Sequence, residues 1–181
     1  MMNKLTEQAC DEFLAKLASE APTPGGGGAA AMAGAMAGAL SSMVANLTIG
    51  KEKFAEVEGE VKNLCQEADA LRGALLDLVE QDAAVFGNFM ACYKLPKATE
   101  AEKKARLDAI HNAAKQAATV PMNIVRASAQ VLAIADRLAV IGNPNVITDA
   151  TCSALIARAA MRCAFYNVQI NLNLTKDDGF N

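Results

Sequence analysis

Tryptophan is absent from this 181-residue sequence, and aromatic residues make up only 4% of it. The apolar content is therefore largely Ala, with Leu, Val, Ile and Met. Runs of alternating β-branched residues, the mark of a strand, are also missing. Ala and Leu head the helix scale, so the expected class is all-α. A single histidine and the lack of any Cys/His cluster exclude a His-rich metal site; His111, among alanines and polar residues, reads as a helix-surface position. The five cysteines, at 10, 65, 92, 152 and 163, form no Cys-x-x-Cys and are odd in number. They read as reduced, mostly buried thiols of a cytoplasmic protein. No excess of positive charge is present: the net charge is -3, which argues against nucleic acid as a partner. The N-terminal "MMNKLTEQACDEF" lacks the charged-then-apolar order of a signal peptide.

What is present is helical periodicity, in six segments of one domain spanning 1–181. The first runs from about Thr6 to Ser19. The second follows the glycines and closes at Gly50. In the third, Phe54, Val57, Val61, Leu64, Ala68, Leu71, Leu75, Leu78, Asp82, Val85 and Phe89 alternate spacings of three and four, a sustained heptad seam ending before Pro96. Gly59, Gly73 and Gly87 fall opposite that seam, which predicts a second helix passing close behind. Thr99 and Glu102 have capping-box spacing and open the fourth segment. Thr119 and Pro121 mark a fifth, with a seam from Val120 through Ile124, Ala127, Val131, Ile134 and Leu138 to Ile141. "NPNVITD" is a turn, and Thr148 or Asp149 can cap the last helix. Short breaks between long helices predict an up-and-down bundle.

The stretch "PTPGGGG" precedes some twenty residues without a charge. Small residues at Ala30, Gly34, Gly38, Ser42 and Asn46 would suit a transmembrane dimer. Against a membrane span stand the weak hydropathy of Ala and Gly, the interrupting polar residues, and the lack of flanking aromatic or Lys/Arg belts. A buried central helix fits better, with Met32, Met36, Leu40, Met43 and Leu47 on its greasy side. The glycines are then either a tight turn that lets backbones meet or a loop whose free amides, chiefly those of Gly26, Gly27 and Gly28, face a ligand. No Gly-Lys-Ser/Thr follows, so this is not a P-loop.

Asp82 occupies a seam position among Leu78, Val79, Val85 and Phe86. Burial there would raise its pKa. It either fixes register, paired with an arginine such as Arg126 or Arg158, or acts as a general acid/base. Asp69 and Asp77 lie off the seam and read as solvated. Two polar clusters invite a binding role. One is Asn46, Thr48 and Lys51. The other is Asn143, Asn145 and Asp149, with Asn167 and Asn171 one turn apart on the last helix; Asn is a poor helix former, so the pair asks for a reason. Capping or internal hydrogen bonding is the competing explanation.

Together "PTPGGGG", "MVANLTIGK", "DAAVFGNFMACYKLP", "NPNVITD" and "NVQINL", in this order from about Pro22 to Leu172, resemble the cyclodeaminase family. That family includes the cyclodeaminase half of formiminotransferase-cyclodeaminase and stand-alone bacterial relatives, some being methenyltetrahydrofolate cyclohydrolases. The resemblance implies an all-helical homodimer that takes a tetrahydrofolate derivative as substrate, with no prosthetic group. It puts the active-site acid on Asp82 and borders the folate with the glycine loop and the Asn-rich C-terminal blocks. Lys51 would meet the glutamate carboxylates of a folate, including a polyglutamylated one. Formiminotetrahydrofolate cyclodeaminase is the leading activity implied, methenyltetrahydrofolate cyclohydrolase the alternative, and a non-catalytic folate-binding protein the third. In this reading a formimino substrate would come from a separate formiminotransferase. The family commonly has Ser where Gly28 stands, and a Ser-Asp pair where Thr148-Asp149 stands.

Overall fold

The computed structural model describes residues 4–175. The single domain expected over 1–181 extends beyond them at both ends. After a 3-10 turn at Leu5–Glu7 come five helices: α1 (Cys10–Leu17), α2 (Gly26–Asn46), α3 (Glu58–Cys92), α4 (Glu100–Ile141) and α5 (Ile147–Thr175). No strand occurs among the described residues. The four long helices form a closed ring in chain order. α2 packs on α3 and α5, and α4 packs on α3 and α5, so α2 and α4 face each other across the core. Short connections make neighbours antiparallel. This is the all-α up-and-down bundle that the periodicity predicts.

The seams explain the packing. On α3, Val61, Ala68, Leu75, Leu78 and Phe89 are buried; on α4, Val120, Ile124, Ala127, Val131, Ile134 and Leu138 are buried. Leu75, Val79, Ile124 and Val131 are fully enclosed at the centre, against the Ala-rich inner faces of α2 and α5. The small-residue ridge of α2 is used inside the fold. A Cβ on Gly34 would meet Ser128 Oγ at 2.9 Å, and one on Gly38 would lie 3.4 Å from the Ala68 carbonyl oxygen. α2 is long and apolar enough to cross a membrane by length and composition, but 61% of its apolar window is buried within the fold. Between α2 and α5, Ser153 Oγ donates to the Ala37 carbonyl at 2.7 Å. Its single proton is thereby committed, so Ser41 Oγ is the donor in the 2.9 Å contact with Ser153 Oγ.

Several expectations are corrected. The fourth and fifth predicted segments are one helix, because Pro121 sits inside α4 rather than at a start. The capping box at Thr99 and Glu102 does open that helix, with both reciprocal bonds present. Asp149 and Thr148 do not cap α5: helix begins at Ile147, and the turn before it is closed by Asn143, whose side chain accepts from Asn145 N–H. Gly59, Gly73 and Gly87 face open space, so among the described residues no helix packs against them. α2 is buried on one side only, because Met36 and Met43 are exposed. All five cysteines are unpaired, but only Cys65 is buried, while Cys10, Cys152 and Cys163 are exposed.

Candidate active site

A cavity of about 290 Å³ opens at the N-terminal end of α2. Pro22, Thr23 and Gly25 to Gly27 form one wall, with the Thr23–Pro24 peptide cis. Val85, Phe86 and Phe89 of α3 form a second, apolar wall. Asn167, Ile170, Asn171 and Leu174 of α5 form a third, with Ala117 of α4 beside them. Asp82 is the only charged side chain among the described lining residues.

Gly27 is what lets this carboxylate reach α2. A Cβ there would overlap the Asp82 carboxylate, and nothing larger than hydrogen fits while Asp82 holds its place. Asp82 accepts a hydrogen bond from the Gly28 N–H. That amide belongs to the first turn of α2, where donors lack partners within the helix and carry the positive end of the helix dipole. Burial pushes the Asp82 carboxyl above its ordinary value, and the Gly28 N–H offsets part of that rise. Burial is the larger effect, so the site favours a protonated acid more than water does. Asp82 makes no ion pair among the described residues; Arg126 instead donates to Asn123 Oδ1 at 3.3 Å. The register-fixing arginine partner is therefore not found.

Residue 28 lies within α2, which has Gly25 as its N-cap. A side chain there would not cap the helix. A Cβ on Gly28 would sit 3.7 Å from Asp82 Oδ2 and 3.5 Å from the Pro24 Cβ, which is ordinary contact distance.

The structure divides the predicted site residues into two groups. Gly26, Gly27, Gly28, Asp82, Asn167 and Asn171 gather at this cavity. Asn46, Lys51, Asn143 and Asp149 lie at the other end of α2, about 30 Å away at 1.5 Å per residue. There Asn143 is buried, and its Nδ2 donates to the Leu47 carbonyl at 3.0 Å. Asn46 Oδ1 accepts from the Cys65 thiol at 3.7 Å. Lys51 is exposed, and Asp149 stands in the first turn of α5. Of the carboxylates read as solvated, Asp77 is exposed, and Asp69 is exposed but accepts from Ser42 and Arg72. Sequence reasoning missed Ala117 as a lining residue. The signal for it was Pro121, four residues on, which cannot donate to the Ala117 carbonyl.

The model of the formiminotransferase-cyclodeaminase family matches residues 9–181. The chain belongs to that family. Within it, the chain is 44% identical to a methenyltetrahydrofolate cyclohydrolase from Methylorubrum extorquens, over 96% of this chain and 83% of that protein. It is 30% identical to the formimidoyltransferase-cyclodeaminase of Rattus norvegicus over 97% of this chain, but spans only 32% of that longer protein. Among solved structures, the formiminotetrahydrofolate cyclodeaminase of Thermotoga maritima superposes with a TM-score of 0.86 at 34% identity, covering 96% of this chain and 83% of that one. The Asp82 cavity thus belongs to a cyclodeaminase-family fold.

Proposed function

We propose that this protein is a folate enzyme acting at the one-carbon bridge of tetrahydrofolate, with Asp82 as the proton carrier. The observation that carries this is a lone carboxyl of raised pKa, at the edge of a cavity with one aromatic wall, hydrogen-bonded to a helix N-terminal amide. The cavity volume lies near the lower limit for small-molecule sites and suits a bicyclic ring with its bridge rather than a whole folate.

The first reading is methenyltetrahydrofolate cyclohydrolase, favoured by 44% identity over most of a protein of that name. Water adds to the methenyl carbon while Asp82 takes one of its protons. The tetrahedral carbon then collapses: its bond to N5 breaks, Asp82 returns the proton to N5, and the hydroxyl proton is released to solvent as the formyl C=O forms. The product is 10-formyl-tetrahydrofolate. The second reading is formiminotetrahydrofolate cyclodeaminase, the activity put first by the sequence resemblance and favoured by likeness to the Thermotoga maritima enzyme. Here N10 attacks the formimino carbon and gives its proton to Asp82, which protonates the departing nitrogen. Ammonia leaves and the 5,10-methenyl bridge remains; a separate formiminotransferase would supply the substrate. Both routes pass through a carbon between two nitrogens and need a group that accepts and returns one proton. In the third reading, a folate-binding protein without catalysis, Asp82 would serve only as an acceptor for ring N–H groups.

The expected cytoplasmic location is supported by the five unpaired thiols. A homodimer is supported by the outer face of α2. Met36, Met43 and Leu47 are exposed there, and no charge occurs from Ala21 to Gly50. A copy packed antiparallel on that face would carry its Lys51 toward this copy's cavity, whose described lining contains no Lys or Arg.

The test is a pair of assays on purified protein, following the ultraviolet band of methenyl-tetrahydrofolate. Decay of that band above the uncatalysed rate supports the cyclohydrolase. Growth of the band from 5-formimino-tetrahydrofolate with ammonia release supports the cyclodeaminase. Neither change, with folate bound, would remove the catalytic reading.

A further inference from the structure

Pro121 sits in the interior of α4, where a proline is costly and needs a reason. Its nitrogen carries no hydrogen, so the Ala117 carbonyl lacks the donor that an α-helix supplies from four residues ahead. The ring also crowds that carbonyl and tips it away from the helix axis. Ala117 and Pro121 are both buried, and a buried carbonyl calls for a donor. That donor comes from the neighbouring helix: Asn171 Nδ2 of α5 donates to the Ala117 carbonyl oxygen at 2.8 Å.

This bond orients the asparagine. The group facing a carbonyl oxygen must be the NH2, so Oδ1 is turned away from the Ala117 carbonyl, and Asn171 lines the cavity. One turn earlier, Asn167 repeats the pattern. Its Nδ2 donates to the Cys163 carbonyl at 2.9 Å, and its amide lies beside Gly26. Neither Oδ1 has a hydrogen-bond partner among the described residues. The α5 wall therefore carries two oriented acceptor oxygens, each asparagine using one of its two Nδ2 hydrogens on a backbone carbonyl.

We infer that Pro121 is a positioning residue for this site: it frees the Ala117 carbonyl to hold Asn171, and the two held asparagines select a ligand ring edge that presents N–H donors. This deepens the proposed folate reading and rests on it for the ligand's identity. A reduced pterin presents such an edge in its 2-amino group and its ring N–H groups. The acceptors bind the ring in the ground state and the transition state alike, while Asp82 performs the proton transfers. Loss of the acceptors should therefore show in KM rather than kcat.

The test combines Pro121→Ala, Asn171→Ala and the double variant with steady-state kinetics, melting temperature, and exchange of the Asn171 side-chain amide by NMR in the free protein. Alanine at 121 restores the helical N–H and relieves the ring clash, so the Ala117 carbonyl turns back into its own helix. The expected result is a KM raised about tenfold in each single variant, the worth of one hydrogen bond, with kcat within about twofold. Pro121→Ala should melt above the wild type, Asn171→Ala should not, and the double variant should bind no worse than Asn171→Ala alone. In the free wild type the Asn171 amide should exchange slowly, and quickly once Pro121 is replaced. A Pro121→Ala protein that melts higher with an unchanged KM would overturn the positioning role; an unchanged KM in Asn171→Ala would overturn the selection. Should the wild type turn over no folate, the folate reading fails, and the amide exchange still decides whether Pro121 holds Asn171.

Discussion

At the N-terminal end of α2, Asp82, Asn167 and Asn171 surround a cavity with acceptor oxygens left over. At the C-terminal end, residues of similar type bond to one another and to the backbone. Thr48 Oγ1 donates to the Val44 carbonyl at 2.8 Å and accepts from Asn143 N–H at 2.9 Å. Asn143 uses Nδ2 on the Leu47 carbonyl and Oδ1 on Asn145 N–H. Thr48 is fully buried and Asn143 nearly so. Thr48 and Asn143 satisfy their polar groups from within the fold, whereas Asn167 and Asn171 each keep an Oδ1 without a partner among the described residues. A polar residue in a helix therefore reports function only once its hydrogen bonds have been counted.

The largest expected break in this comparison comes from Asp82→Asn. Activity should fall by roughly 10²–10⁴, the usual contribution of a positioned acid/base, with far-ultraviolet circular dichroism unchanged. Next is Gly27→Ala, whose Cβ would displace the Asp82 carboxylate. It should cost about 1–3 kcal/mol in denaturant unfolding and most of the activity. Gly26→Ala, with its Cβ 3.5 Å from Asn167, should be mild in both. Thr48→Val sharpens the contrast from the other end. It leaves two buried backbone groups without a partner and should cost about 1–3 kcal/mol of stability, with kcat and KM unchanged in the folded protein. If Thr48→Val instead lowered kcat at full stability, the two ends would not be separable in function.

The heptad seams make the bundle legible from the residue pattern, because buried faces on long helices repeat at 3.5 residues whatever lies beside them. Asp82 is legible for the same reason, as a carboxyl where the pattern demands an apolar side chain. Pro121 misleads the segmentation. Proline is a start signal when only local sequence is read, and here a side chain from α5 supplies the donor it removes. The grouping of Asn46, Lys51, Asn143 and Asp149 with the glycine loop also goes beyond what spacing can show. Their separation follows from the length of α2, which local composition does not fix to a given end.

The smallest effect concerns pH. A carboxyl whose pKa is higher in the folded than in the unfolded chain favours the fold most in acid, and that contribution fades as pH rises through the folded pKa. Asparagine at 82 does not titrate. The wild type should therefore lose stability relative to Asp82→Asn as pH rises from about 4 toward neutrality, near and above the ordinary aspartate range. Melting temperatures of the pair across that range would check this; a wild type that gains on Asp82→Asn with rising pH would reverse the assignment of burial as the larger effect.

The central claim is that the glycine end of α2 holds a carboxyl able to keep and return a proton. The most direct measurement is a ¹³C NMR titration of the Asp82 side-chain carboxyl in the free protein. The account requires a midpoint above the ordinary aspartate value of about 3.9. A midpoint at or below that value would mean that the Gly28 N–H outweighs burial, and that Asp82 is a fixed anion rather than a proton carrier.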